Sequence, residues 1–250
     1  MSVQQEHIRL AITGGTGFVG KTVVGLARTQ NLAINALTRR PQADQTGVTW
    51  VDGRLDRDDG LDRLMTDVGA VLHIAGVVNA PDKAGFEAGN AAGTLAVVRA
   101  AQAAGVRRFI HVSSLAAREP QLCDYGWSKH RAEQIVMASG LDWTIIRPPA
   151  IYGPADTEMF DLFRIARRGL VLLPPEGRLS VIEVSDLARL LLACAQDQDI
   201  SIGAIYEADD GVDDGWSHGS FGRAIGWAVG KRVTAIATPR PILRLAARVD

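Results

Sequence analysis

Ile8-Arg9-Leu10-Ala11-Ile12-Thr13 runs straight into Gly14-Gly15-Thr16-Gly17-Phe18-Val19-Gly20, and a helix-forming stretch follows through Arg28. An apolar strand, a glycine turn and a helix, in that order, give the spacing Gly14, Gly17, Gly20 its meaning. Gly14 permits the tight turn, Gly17 lets the backbone approach a pyrophosphate, and Gly20 lets the helix lie against the strand. The start of the helix then aims amide groups at the phosphates. This segment opens an α/β sheet built to hold a dinucleotide.

The rest of the chain continues that pattern. Strands are expected at 33–37, 48–51, 70–76, 109–112 and 143–147, with helices at 91–104 and from Tyr125 to about Ala138. The stretch Ala70-Val71-Leu72-His73-Ile74-Ala75-Gly76 is apolar throughout, as a strand covered on both faces requires. Strands alternating with helices imply parallel β-α-β units with right-handed crossovers. Beyond Pro154 the character changes. Helices are expected at 160–168 and 186–196, with a break at Pro174-Pro175-Glu176-Gly177 and a loop rich in Asp, Gly and Ser at 209–222 around Trp216. A helix-like pattern occupies 242–249. The expected organisation is a dinucleotide-binding domain over 1–153, sharing later strands and helices, and a small substrate-binding lobe over 154–250, interleaved with the core.

A chain of 250 residues with 47% hydrophobic content is long enough for one large α/β domain or a core plus a small lobe. The net charge of −1 gives no global field for nucleic acid or an anionic membrane. Cys123 and Cys194 are too few for a disulfide framework or a cysteine-rich metal site, so free thiols in the cytoplasm are expected. The first ten residues lack the apolar core of a signal peptide, and no uninterrupted apolar run could span a bilayer. No metal-ligand spacing surrounds His73 or His111, which read as satisfied core histidines. Asp56, Arg57, Asp58 and Asp59 read as a solvated turn, and Asp186 as a residue of a helix N-terminus.

The chemistry concentrates at Tyr125-Gly126-Trp127-Ser128-Lys129, shortly after Ser113-Ser114. A phenol titrates near 10, so a tyrosine working as acid or base needs a nearby cation to favour its phenolate. Lys129 lies four residues on, which puts both side chains on one helical face. A serine hydroxyl arriving from a strand end can hold a substrate carbonyl between them. Together with the glycine loop, these residues read as a nicotinamide-dependent active site. Ser113 competes with Ser114 for the serine role. Asn90 fits either a polar contact beneath the cofactor or an amide that caps or kinks a helix. At the exit of the second strand stand Thr38-Arg39-Arg40 and no acid. NAD is gripped there by a carboxylate on the ribose hydroxyls, whereas a 2′-phosphate needs a cation. A guanidinium can bind that phosphate bidentately, so NADP is the expected cofactor and NAD the alternative.

In this order, the loop Thr13 to Gly20, Asp52-Gly53-Arg54-Leu55, His73-Ile74-Ala75-Gly76, Asn90 with Gly93-Thr94, Val112-Ser113-Ser114, Tyr125 with Lys129, and Arg147-Pro148-Pro149 with Ile151-Tyr152-Gly153-Pro154 resemble the short-chain dehydrogenase/reductase superfamily. The branch is its extended or atypical one, the NAD-dependent epimerase/dehydratase family, over about residues 8 to 195. The resemblance implies a Rossmann-type doubly wound parallel sheet with a small C-terminal substrate lobe. It implies that Gly14, Thr16, Gly17, Phe18, Val19 and Gly20 bind the cofactor, and that Arg39 meets the adenosine 2′-phosphate. Leu55 would lie near adenine, Ala75 and Gly76 would line the cofactor cleft, and Pro148 to Ile151 would pass close to nicotinamide. Ser114 would orient the substrate oxygen and Tyr125 would transfer the proton. Lys129 would bind the nicotinamide ribose while depressing the tyrosine pKa. Helix-paired homodimers are usual in the family.

The sugar-nucleotide dehydratases of that family pair a threonine with two acids where this chain has Ser114-Leu115-Ala116, which disfavours dehydration. Glu183-Val184-Ser185-Asp186 departs from the usual His-Val-Asp-Asp, and the last lobe is short for a nucleotide-sugar enzyme. The first expectation is therefore an NADP(H)-dependent oxidoreductase that interconverts a carbonyl and an alcohol on a small substrate. The alternatives are a sugar-nucleotide epimerase and a non-catalytic regulatory or assembly protein that binds the cofactor.

Overall fold

A computed structural model describes residues 8–57, 60–157, 159–174, 177–197 and 199–237. The chain divides into two compact units, Met1–Pro148 with Val184–Ala208, and Pro149–Glu183 with Asp209–Asp250. The helix-like pattern expected at 242–249 lies outside the described residues.

The first unit is the expected doubly wound α/β sheet. Its strands are β1 (Leu10–Thr13), β2 (Ile34–Thr38), β3 (Val48–Asp52), β4 (Ala70–His73), β5 (Arg108–Val112), β6 (Asp142–Arg147) and, numbered after those of the second unit, β11 (Ala204–Glu207). The order across the sheet is β11-β6-β5-β4-β1-β2-β3, and every pairing is parallel. All residues of β1, β2, β4 and β5 are buried, because helices cover both faces. On one face α1 (Phe18–Thr29) packs against α7 (Val184–Gln196). On the other, α2 (Leu61–Leu64), α4 (Gly93–Ala103) and α5 (Asp124–Met137) close over Val71, Phe109 and Ile145 through Leu64, Val97, Ala101 and Val136. A one-turn helix, α3 (Lys83–Phe86), and a π-helical segment, Glu87–Ala92, lead directly into α4. The helix expected from residue 91 is therefore one continuous run from Lys83.

Buried Arg108, at the start of β5, ties the sheet edge together. Its guanidinium donates to the carbonyl of Asp142 at 2.7 Å, Thr144 Oγ1 at 2.8 Å, the carbonyls of Cys194 and Asp197 at 2.7 and 2.8 Å, and Ser201 Oγ at 2.7 Å. Five acceptors satisfy a charge that burial alone would make costly.

β1 pairs with both β2 and β4, so the chain leaves β1 in one direction and returns on its other side. Ligands of open α/β sheets bind at such a switch point, beyond the carboxyl ends of the strands. The glycine loop after β1 and the segment after β4 meet there. A Cβ at Gly14, whose φ is +77°, would lie 2.7 Å from the Ala75 amide nitrogen. Only glycine fits that approach at that dihedral.

The second unit contains β7 (Ala150–Tyr152) paired in parallel with β10 (Val181–Glu183), β8 (Leu170–Leu173) paired in parallel with β13 (Thr234–Ala237), and β9 (Arg178–Leu179) antiparallel to β12 (Trp216–Ser217). α6 (Phe160–Ala166) and α8 (His218–Ala228) bury Ala166, Val171, Leu173, Phe221 and Ile225 in a shared core. The loop expected over 209–222 ends early. Trp216 and Ser217 form a strand, and Ser217 Oγ caps α8 by accepting from the Ser220 amide at 3.1 Å.

Candidate active site

Helix α1 begins without a side-chain cap and without an acid in its first turn. Its N-terminal amides are left to an acceptor from outside the helix, a role that suits a phosphate. The three glycines differ in what they do. A Cβ at Gly20 would sit 2.0 Å from the Gly14 carbonyl oxygen, so the helix rests on the turn, whereas a Cβ at Gly17 would meet only that oxygen, at 3.4 Å. Gly17 therefore keeps the space in front of the loop clear. The donor set and the cleared space fit the pyrophosphate of a dinucleotide, and Arg39, after β2, is exposed. Thr38 Oγ1 holds the turn by donating to the Arg40 carbonyl at 2.6 Å. Neither Arg39 nor Arg40 pairs with a carboxylate among the described residues. Leu55 packs on Gly93, where a Cβ would lie 3.3 Å from Leu55 Cδ1.

The second half of the site is built on α5. Cys123 Sγ caps the helix by accepting from the Gly126 amide at 3.3 Å. A Cβ at Gly126 would lie 2.5 Å from the Ala116 carbonyl oxygen, so glycine lets the start of α5 press against the turn that follows Ser114. Ser114 caps the 3-10 helix Leu115–Arg118, its Oγ accepting from the Ala116 amide at 3.2 Å. The buried Pro148 carbonyl accepts from the Leu115 amide at 2.9 Å and pins the same turn to the exit of β6. Tyr125 is half-buried, its ring tilted at 6.0 Å from Phe86.

Lys129 is buried on the inner face of α5, and its Nζ donates to the Val112 carbonyl at 2.7 Å. A Cβ at Gly76 would lie 3.6 Å from that Nζ and 2.9 Å from Asn90 Oδ1. Gly76, Lys129 and the end of β5 thus converge. Burial pushes the ammonium pKa down to about 8, and the Glu133 carboxylate partly opposes the fall. At neutral pH the group is still mostly charged.

The two serines separate cleanly. Ser113 Oγ donates to Glu133 Oε1 at 2.5 Å, so its hydroxyl is committed to the core, whereas the Ser114 hydroxyl proton has no such acceptor among the described residues. Glu133, fully buried, also accepts from Arg147 Nε and Nη2 at 2.9 and 2.7 Å. Sequence reading passed over Glu133. The available signal was an acid one turn beyond Lys129, on the row already carrying Tyr125 and Lys129. Asn90 stands where the helix is distorted rather than capped. It lies in the π-helical segment, accepts from the Val77 amide at 2.8 Å and donates to the Val77 carbonyl at 3.0 Å and Ser128 Oγ at 2.8 Å.

His73 is satisfied as expected, between Thr13 Oγ1 at 2.7 Å and Thr94 Oγ1 at 2.9 Å. Burial, with Lys129 adding to it, drives its pKa down to about 3, so it is neutral. His111 corrects the expectation. Both its ring nitrogens are buried without a hydrogen-bond partner among the described residues, and its ring stacks on His73 at 5.3 Å between centroids. Ile151 stands in β7 of the second unit, so the first unit holds the other expected site residues without it.

The family model described as NAD(P)H-binding matches residues 14–198. A ceramide reductase from Caulobacter vibrioides is 38% identical over 248 residues, covering 96% of this chain and 77% of that protein. A UDP-glucose 4-epimerase from Vibrio cholerae is 26% identical over 236 residues, covering 82% of this chain and 71% of that protein. Among solved structures, MoeE5 in complex with UDP-glucuronic acid and NAD superposes with a TM-score of 0.78 at 23% identity, over 92% of this chain and 85% of its own. The chain belongs to the NAD(P)H-binding family matched over residues 14–198, and its structural neighbours include proteins of the short-chain dehydrogenase/reductase superfamily.

Proposed function

We propose that the chain is an NADP(H)-dependent reductase whose substrate is a ketone on a long-chain, ceramide-like amide. The observation that carries this reading is the convergence of buried, cationic Lys129 with Gly76 and with the helical face that bears Tyr125. When bound, the reduced nicotinamide supplies a hydride to the carbonyl carbon. Ser114 keeps a hydroxyl proton for the substrate oxygen, because its own oxygen is held by the Ala116 amide. Tyr125 gives its phenolic proton to that oxygen as the carbon is reduced, and regains one from water. Lys129 offers a fixed ammonium for ribose hydroxyls, and Arg39 a guanidinium for the 2′-phosphate. The substrate class is taken from the Caulobacter relative named a ceramide reductase. A nicotinamide hydride does not reduce an amide, so the reducible group on such a molecule is a ketone.

The test is stoichiometric. With a long-chain N-acyl amide carrying a ketone, NADPH absorbance is expected to fall mole for mole with alcohol formed. Tyr125→Phe should lose at least about a hundredfold in turnover with NADPH affinity unchanged. Interconversion of UDP-sugar epimers with no net loss of NADPH would replace this reading with the epimerase suggested by the Vibrio relative. A Tyr125→Phe variant of near-normal rate would take the tyrosine out of the mechanism.

A further inference from the structure

The net charge of −1 conceals a local concentration of cations in the second unit. Arg167 and Arg168 end the segment after α6, and Lys231 and Arg232 precede β13; all four are exposed. The two pairs are neighbours, because the Thr234 amide donates to the Gly169 carbonyl at 2.9 Å where β8 and β13 begin side by side. No carboxylate pairs with any of the four among the described residues, and Asp161 is taken by Arg164 at 3.1 Å. Trp227 lies at the end of α8, one turn before Lys231, and is 85% exposed. Its carbonyl accepts from the Gly230 amide at 3.0 Å, which fixes it beside the basic turn.

The apolar part of the surface has its own order. In the β8 and β13 pair, Leu172 stands directly opposite Ile236. They are 42% and 44% exposed, while Val171 and Leu173, on the other face of β8, are buried in the core. The four cations thus lie in the turns at the start of this small sheet, with the aliphatic pair on its outer face and the exposed indole at the end of the helix that covers its other face. Indole rings and cationic side chains are the groups that settle at the headgroup level of a bilayer. Phosphodiester chains would also attract the cations, but they offer nothing to Leu172 and Ile236.

We infer that this end of the second unit docks on an anionic bilayer surface, with Arg167, Arg168, Lys231 and Arg232 on lipid phosphates and Trp227 at the interface. No helix among the described residues is long and apolar enough to cross a membrane, so the contact is peripheral. Docking is independent of the substrate assignment, although it would bring a long-chain lipid substrate within reach.

Flotation of the full chain with phosphatidylcholine vesicles, with and without phosphatidylglycerol, tests it. Binding is expected only with the anionic lipid and should weaken as salt screens the surface. Each cation near such a surface contributes roughly fivefold, so Arg167→Gln with Arg168→Gln should weaken binding about thirtyfold, and Lys231→Gln with Arg232→Gln similarly. Vesicle binding should blue-shift the indole emission, and Trp227→Phe should remove that shift. Absence of binding to the anionic vesicles at low salt, or equal binding by the unmodified chain and both double variants, would overturn the inference. Turnover of a detergent-dispersed long-chain N-acyl amide ketone, measured without vesicles, reports separately on the reductase reading. Turnover without vesicle binding removes the docking alone, and vesicle binding without turnover removes the reductase alone.

Discussion

Replacing Lys129 with methionine should change how the apo chain's stability responds to pH, with a sign and a window set by the structure. The side chain is 4% exposed, and burial lowers its pKa from 10.5 to about 8. Below pH 8 the ammonium is protonated in both folded and unfolded chains, and the fold bears the full cost of burying it. Between pH 8 and 10.5 the folded chain has released that proton while the unfolded chain still holds it. Stability then rises with pH, because the unfolded state binds more protons. A gap of about 2.5 pH units, at about 1.36 kcal/mol each, gives a rise of about 3 kcal/mol. Urea unfolding of the unmodified chain and of Lys129→Met, measured in parallel from pH 7 to 10.5, isolates it, since other titrating groups cancel in the difference. The difference should be level below pH 8 and climb in favour of the unmodified chain above it. A difference that stays flat, or falls, would refute the reasoning and show that the ammonium is not penalised by burial. Saturating NADPH should move the climb to higher pH, because a ligand that accepts from the ammonium favours its charged form.

Glu133→Gln should destabilise the fold by about 3 kcal/mol, since the partly buried Arg147 loses its bidentate carboxylate; thermal unfolding would measure it. The same variant should shift the Lys129-dependent climb to lower pH, because the Glu133 charge holds the ammonium pKa up. Gly17→Ala should unfold like the unmodified chain yet lose NADPH affinity, whereas Gly20→Ala, with its methyl driven against the Gly14 carbonyl, should lose stability as well; calorimetry on both separates the two roles. Arg39→Ala should erase a preference for NADPH over NADH of about tenfold, read by titration of each cofactor at fixed salt.

The dinucleotide half of the first unit was legible because its rules are local and periodic. Apolar runs that end in glycine at Thr13-Gly14 and His73 to Gly76 gave the strands, and parallel β-α-β connection constrains their arrangement. What escaped was decided by packing. Helix α8 contains Gly219, Gly222 and Gly226, residues that weaken a helix by propensity, and so its start was read as loop. A Cβ at Gly226 would lie 2.7 Å from Val233 Cγ2, so that glycine is there for close contact and tertiary packing overrides propensity. The pairings of β7 with β10 and of β8 with β13 join short strands far apart in sequence, and nothing in two to four residues announces a partner. At the site, Tyr125, Lys129 and Ser114 were legible as a spacing. Glu133 escaped because an acid on a helix is ordinarily a solvated charge, although this one lies on the buried row.

The guanidinium of Arg108 has a consequence for how the chain is made. Asp142 and Thr144 emerge from the ribosome soon after it, but Cys194, Asp197 and Ser201 follow only after the whole of the second unit's first segment, Pro149–Glu183, has been synthesised. Until then a nascent sheet of six strands must leave β6 as an open edge and a core arginine short of acceptors. Edges of that kind recruit stray strands. The vulnerable interval in biosynthesis therefore closes when β11 arrives, and a ribosome stalled between Pro148 and Ser201 would expose a half-satisfied intermediate to chaperones or to aggregation.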